Sequence, residues 1–392
     1  MTQISNFFTT HNKNLCSGCG ACQQACPFDA LSMQPDEEGF IFPVKNLDKC
    51  TKCGLCENIC PFPKPDYSNL GKTAYGCYVK NLSERQKSSS GALFYEVAKY
   101  VIGLGGVVFG ACLSDKLKVF HRVIQTIDDL QLLRGSKYVQ SSTENTYKEA
   151  KEFLKQGRFV YYTGTGCQIA GLKAYLRKDY PNLITSDLVC HGVPPQKLFD
   201  SHIKYLRNKT GKDIISYGFR DNKNWGVCES FTTSDGIIHR KPSYILSPYL
   251  NAFIKGWTFR YSCYHCPYAH IPRQGDITLA DLWGAKELAP SLNPQNGISF
   301  VLINTEIGEK IWNTIKDNLT FCDVDLDSVI KWNHNLAFSS EMPMERRIVF
   351  EEIEMKGYPN IAESMFKASK KEVFKMYLRR YVKEFLKRIG LI

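Results

Sequence analysis

Short apolar runs over residues 75–80, 107–114, 118–125, 158–163 and 184–190 read as strands. Residues 90–104, 145–156 and 167–176 read as helices between them, the first opened by a Ser/Gly loop. Strand and helix in alternation imply an α/β domain. Past residue 211 the pattern changes. Residues 214–220 and 230–243, with Asp235-Gly236 at a turn, read as antiparallel hairpins, and a strand at 298–305 precedes a helix at 307–318. In the tail, Val373, Tyr377, Tyr381, Phe385 and Ile389 recur every four residues, opposite Lys375, Arg379, Arg380, Lys383, Lys387 and Arg388. That is the pattern of a basic amphipathic helix, able to lie on an anionic bilayer or to pack on a domain or partner.

No run approaches the ~20 consecutive apolar residues of a membrane span. The nearest, residues 100–113, is short and carries four glycines. With 43% hydrophobic and 23% charged residues, the composition is that of ordinary globular proteins, which excludes wholesale disorder and fibrous repeats. The 392 residues accommodate two or three domains. The first fourteen residues have neither a basic nor an apolar signal region, so a soluble, cytoplasmic chain is expected. Net charge is +11, but from Lys367 onward nine basic residues face two acidic ones, so the tail supplies most of it. The nearly balanced body shows no basic module, and a nucleic-acid partner is not expected.

Sixteen cysteines without a secretion signal point to metal or redox chemistry. Cys16-x2-Cys19-x2-Cys22-x3-Cys26-Pro27 recurs as Cys50-x2-Cys53-x2-Cys56-x3-Cys60-Pro61. Two-residue gaps let three thiolates meet one cubane, and the fourth cysteine, before proline, crosses to the other cluster. Cys16, Cys19, Cys22 and Cys60 are then expected on one [4Fe–4S] cluster, and Cys50, Cys53, Cys56 and Cys26 on a second. Zinc knuckles would use similar spacings, but rarely eight cysteines in this double register with both prolines. A proline-rich connector at 61–71 follows.

Three loops carry hydroxyls, glycines or cations: residues 87–92, 134–138 and 162–168. Singly, each is as well explained by helix capping or a solvated turn as by an anion. Gly103-Leu-Gly-Gly106 precedes a strand, so a nicotinamide-type fingerprint is missing. Cys263-x2-Cys266-Pro267 repeats the cluster-like spacing, and Cys167 and Cys190 each follow a strand. Spacing alone leaves two readings open: a third [4Fe–4S] cluster on these four, or a lone CxxC pair beside ordinary buried cysteines.

Taken in order, these segments resemble the family of beta subunits of coenzyme F420 hydrogenases and dehydrogenases, with a two-cluster ferredoxin module in front. The likeness rests on residues 89–92, 108–110, 134–141, 163–168 and 187–192, then 219–221, Cys263-Tyr-His-Cys266 and 276–284. It implies a third cluster on Cys167, Cys190, Cys263 and Cys266, and FAD held by Ser90, Gly91, Arg134, Gly135, Ser136, Lys137, Thr163, Gly164 and Thr165. The expected fold is an α+β ferredoxin-like module at 1–70, then an α/β flavin-binding core with an antiparallel portion. That core divides into 71–155 and 156–345, followed by a basic helical tail at 346–392. Two positions depart from the family pattern: Gly166 stands where proline is usual, and Ala280 where glycine is common.

The expected activity is that of an iron–sulfur flavoprotein oxidoreductase. It would pass electrons between the clusters and FAD, with hydride exchange to coenzyme F420 or a related small molecule. Reduction of a different small molecule, or a noncatalytic electron-transfer subunit, are the alternatives. Partners would be an electron-carrier protein, a small-molecule substrate and, through the tail, the inner face of a membrane. Lys137 and His191 would tune the flavin or orient substrate, a structural role for His191 being equally open. Arg273, Asp276 and Asp281 read as scaffold contacts, and no catalytic residue is assigned.

Overall fold

The computed structural model describes residues 7–69, 71, 73–221 and 226–388. Ile389, the last of the tail's apolar repeat, lies outside the described residues, as do the side chains of Asp221, Lys383, Lys387 and Arg388. Between the two cysteine repeats, β1 (Leu31–Pro35) and β2 (Ile41–Lys45) form an antiparallel hairpin, Met33 opposite Pro43. Its turn is closed by Asp36, which accepts from the Phe40 amide at 2.9 Å and from Lys13 at 2.7 Å.

Eight strands form one mixed sheet behind this module. In chain order they are β3 (Thr73–Val79), β4 (Val107–Leu113), β5 (Val119–Ile124), β6 (Val160–Thr165) and β7 (Leu183–Leu188). After a separate antiparallel sheet of β8 (Ile214–Asp221), β9 (Gly226–Thr233) and β10 (Ile238–Arg240), three more join: β11 (Ile277–Asp281), β12 (Ser299–Ile303) and β13 (Leu319–Asp323). The order across the large sheet is β13-β3-β12-β11-β7-β6-β4-β5. Its centre, β11-β7-β6-β4, is parallel, and both flanks are antiparallel.

Alternation along the strands sends neighbouring residues to opposite faces. Val108 and Tyr161 join Val97 and Val101 of helix α1 (Leu93–Gly103) on one side. Phe109 and Tyr162 meet Tyr147 of α2 (Thr146–Lys155) and Ile169 and Leu172 of α3 (Gly166–Leu176) on the other. All these side chains are fully buried, the Val, Leu, Ile and Phe among them each contributing about 1.5–3 kcal/mol by the usual transfer scale. A third core joins the small sheet to α4 (Gln196–Thr210) through Phe199, Ile203, Tyr217 and Phe219.

Several elements depart from the sequence reading. Helix α1 begins at Leu93, not residue 90, because Ala92 sits in the left-handed region at φ +69°. β6 runs on to Thr165, where Thr165 and Gln168 form a capping box for α3. β11, α4 and β13 have no counterpart in the sequence reading. β11 is hidden because its polar residues are bonded rather than exposed: Thr278 donates to Asp187 at 2.7 Å. The last described element is a long helix, α5 (Lys370–Arg388). Among the described residues no helix is long and apolar enough to cross a membrane.

Candidate functional site

Each cysteine repeat turns through a left-handed glycine, Gly20 at φ +79° and Gly54 at φ +72°, which caps a short helix, Ala21–Ala25 and Leu55–Asn58. Glycine adopts this region without the Cβ penalty. Three thiols of the first repeat face the last of the second. Burial pushes Cys19 up to about 12, with Cys60, Cys167 and Cys16 adding to it. Burial also raises Cys22, whose thiol neighbours are Cys19, Cys16, Cys60 and Cys56. Cys60 is pushed up to about 11 by burial, then by Cys16 and Cys56. In the second repeat, Lys45 pairs with Glu57 at 3.0 Å and stands within electrostatic reach of Cys56 and Cys50. The Cys26 sulfur accepts from the Ala30 amide at 3.3 Å. Cys53 is the exposed cysteine of the chain.

A further four thiols gather where β6 and β7 end. Cys167 opens α3, Cys190 follows β7, and Cys263 and Cys266 lie on a 3-10 turn over Tyr261–His265 and its cap. Burial pushes Cys190 up to about 12, reinforced by Cys167 and Cys266. It raises Cys263 next to Cys190, Cys266 and Cys167, and lifts Cys266 to about 11 next to Cys167. Thr165 Oγ1 lies 3.1 Å from the Cys167 sulfur. A cationic iron core among these four thiols would offset the cost of their burial and hold them as thiolates. Among the described residues no three His, Cys, Asp or Glu side chains converge on a point suited to a single ion. Thiolates around a four-iron core are spread more widely than ligands sharing one ion.

Two arginines, neither singled out in the sequence as a site residue, lock these groups together. Arg260 donates from Nε to the Cys16 carbonyl at 2.6 Å and from Nη1 to the Ile41 carbonyl at 3.0 Å, docking the front module on the core. Arg273, expected as scaffold, pairs with Asp187 at 2.8 Å and donates to the Leu188 and Tyr268 carbonyls. Asp276 is scaffold too, accepting from the Thr185 amide at 2.8 Å and from Thr305 at 2.7 Å.

The four thiols border a cavity of about 850 Å³. Ser90, Arg134, Gly135, Ser136, Lys137, Thr163, Gly164 and Thr165 all line it. Gly91 does not. It packs under the loop, where a Cβ would collide with the Cys77 carbonyl oxygen. The two cations expected to face an anion are partly engaged. Arg134 pairs with Glu84 and stacks 4.2 Å from the Tyr95 ring, though its Nε has no partner. Lys137 donates to the Leu133 carbonyl at 3.0 Å and the Arg134 carbonyl at 2.8 Å, at the end of a helical turn. Burial lowers it to about 7. The Ser136 amide donates to Ser89 Oγ at 2.9 Å, tying two of the loops together.

Composition gave no signal for His121, yet it lines the same cavity between Ser141 Oγ at 2.7 Å and the Thr163 carbonyl at 3.0 Å. Burial pushes it down to about 4, so it is neutral. The lining also includes Arg220, paired with Asp281 at 2.5 Å. That pair makes Asp281 part of the cavity wall, although the sequence placed it in the scaffold. His191 also lines the cavity, and burial lowers it as well.

Residues 15–63 match the 4Fe-4S dicluster domain, and residues 157–327 match the model described as the C terminus of the coenzyme F420 hydrogenase/dehydrogenase beta subunit. A relative from Methanosarcina mazei, the F subunit of F(420)H(2) dehydrogenase, is 24% identical over 324 residues, covering 78% of this chain and 84% of that protein. A solved structure of the xenon-derivatised F420-reducing [NiFe] hydrogenase complex from Methanosarcina barkeri is 19% identical, with a TM-score of 0.48. The match covers 74% of this chain and 95% of that one. The chain is thus an oxidoreductase that joins a 4Fe-4S dicluster domain at residues 15–63 to a segment, residues 157–327, similar to the C terminus of coenzyme F420 hydrogenase/dehydrogenase beta subunits.

Proposed function

We propose that this protein exchanges electrons with an external carrier protein and hydride with coenzyme F420 or a related small molecule, using FAD held in the cavity. One observation carries the reading: the four thiols at the ends of β6 and β7 and the hydroxyl- and amide-rich loops border one cavity. Its volume, about 850 Å³, is within the range of cofactor sites. In this reading residues 1–70 hold two clusters, on Cys16, Cys19, Cys22 and Cys60 and on Cys26, Cys50, Cys53 and Cys56. Residues 71–345 form the flavin core, with a third cluster on Cys167, Cys190, Cys263 and Cys266.

The cysteine sets stand in series. Exposed Cys53 is at the surface, Cys56 neighbours Cys22 and Cys60, and Cys19 neighbours Cys167. That order makes the second repeat the contact for the carrier. Ser90, Gly135, Ser136 and the strand end from Thr163 to Thr165 supply hydroxyls and amides to the pyrophosphate, with Lys137 and Arg134 as counter-charges. Bound FAD would supply the conversion between single electrons and hydride. Neutral His121 orients Thr163 by donating from Nε2 to its carbonyl while Nδ1 accepts from the Ser141 hydroxyl, and Arg220 with Asp281 shapes the wall where substrate would lie.

Anaerobic purification followed by flavin extraction tests the reading, with deazaflavin reduction followed at its own absorbance. FAD bound but no deazaflavin turnover would move the substrate to a different small molecule. Full clusters with no affinity for any flavin would leave an electron-transfer subunit instead. The name of the 24% identical relative, one subunit of a larger dehydrogenase, favours that second reading if flavin fails.

The tail extends the proposal to a membrane surface. Phe374, Tyr377, Leu378, Tyr381, Val382 and Phe385 of α5 are all exposed. At 3.6 residues per turn they fall within an arc of about 140°. Lys375 flanks that arc and Arg379 stands opposite, both exposed. A capping box, with Ser369 donating to Glu372 and the Glu372 amide donating back at 3.2 Å, starts the helix, and Lys255 holds Glu372 at 3.3 Å. An apolar stripe with basic flanks, anchored at one end, fits an anionic bilayer.

A further inference from the structure

Tyr268 is 2% exposed, and its hydroxyl has no hydrogen-bond partner. A buried hydroxyl left so costs about 1–3 kcal/mol, and such a group calls for an explanation. Its surroundings supply one. The phenol lies within electrostatic reach of Cys19 and Cys60 from the front module and of Cys167 and Cys266 from the core. It packs in one cluster with Cys60 of the front module and Cys167 and Cys266 of the core, where the two cysteine sets meet, with Phe62 edge-on against the ring at 6.0 Å.

Gly166 makes room for it. A Cβ at residue 166 would stand 2.9 Å from the Tyr268 Cβ, closer than such atoms approach, and the Tyr268 Cβ cannot swing away as a side-chain tip can.

We propose that the Tyr268 hydroxyl is a hydrogen-bond donor to the sulfur of an iron–sulfur cluster held by one of these two cysteine sets, and that Gly166 is the space that keeps it there. Reduction adds one electron to a cluster and no proton is needed. A donor aimed at sulfur stabilises the added negative charge and raises the cluster's potential. Tyr268 acts through the cluster's environment, as a tuning residue and not a ligand. The inference rests on the cluster assignments proposed above.

The test uses the reconstituted holoprotein and reads potentials by redox titration with electron paramagnetic resonance. Tyr268→Phe, which removes only the hydroxyl, is expected to keep the full iron content and to shift one cluster's potential downward. Gly166→Ala, which keeps the hydroxyl but displaces the ring, is expected to shift the same cluster in the same direction. Full iron with unmoved potentials in Tyr268→Phe would overturn the proposal. If that variant loses iron, unmoved potentials in Gly166→Ala would do the same. A wild-type protein that binds iron only at the front module would instead break the third-cluster assignment, a failure visible before any variant is made.

Discussion

The Tyr147 hydroxyl donates to the Cys19 carbonyl at 3.0 Å and stands 2.9 Å from the Gln168 carbonyl. One buried phenol on α2 thus ties the first cysteine repeat to the helix that opens at Cys167. Gly171 permits this approach, since a Cβ there would stand 3.1 Å from the Cys19 sulfur. Tyr147→Phe should leave iron content intact and cost about 1–3 kcal/mol, because buried carbonyls lose a donor. Thermal unfolding measures the cost. A Tm equal to wild type would mean that the bond is dispensable.

Twelve cysteines in three sets imply about twelve irons per chain after anaerobic reconstitution. Cys263→Ser with Cys266→Ser should remove about four and leave the front module's clusters in place. Iron assay with resonance spectra of the remaining clusters decides it. Unchanged iron would return these cysteines to an ordinary buried pair.

Lys137 carries a pH signature. Burial lowers it to about 7 from 10.5. Between those values the folded chain holds it neutral while the unfolded chain holds it charged. The unfolded state then binds more protons, so this group's contribution to stability rises with pH across that window and is lowest below it. A pyrophosphate beside its nitrogen would restore the charge, so FAD binding at pH 8 should take up a proton. Lys137→Met should abolish that uptake and flatten the free protein's stability between about 7 and 10.5. It should also weaken FAD by ~1.5–3 kcal/mol, or tenfold to a hundredfold. Calorimetry in buffers of differing ionisation heat reads the uptake, and an unaltered affinity would remove Lys137 from the cradle.

The tail is tested with vesicles. The full chain should sediment with phosphatidylglycerol vesicles, weakly with phosphatidylcholine, and less as salt rises. Lys375→Gln with Arg379→Gln should lower partitioning by about 25-fold, at about fivefold per charge. A chain ending at Ser369 that partitions as well as the full one would sink the membrane reading. So would light scattering that finds α5 pairing two copies.

Much of the architecture was legible because local chemistry dictates it. The cysteine repeats announce themselves by spacing alone, since a tight loop must present three thiols to one cubane. Strands such as β4 and β6 announce themselves by continuous apolar residues buried on both faces. β11 did not, because Thr278 and Asp281 look solvent-facing until their partners, Asp187 and Arg220, are brought from distant parts of the chain. The edge strand β13, half-exposed along its length, carries a correspondingly weak pattern.

The site divides along the same line. Sequence by itself determined the two front cysteine repeats and the CxxC pair, which loops carry hydroxyls and glycines, and that the tail is amphipathic, because these depend on residues close together in the chain. Only the tertiary structure decided that Lys137 spends its hydrogen bonds on nearby carbonyls, that Gly91 supports a loop without reaching the cavity, and that His121 and Arg220 face it. It also decided that Tyr268 stands above Gly166 where two cysteine sets meet. Each of those facts depends on side chains from separate elements meeting at one point, and no local pattern records where separate elements meet.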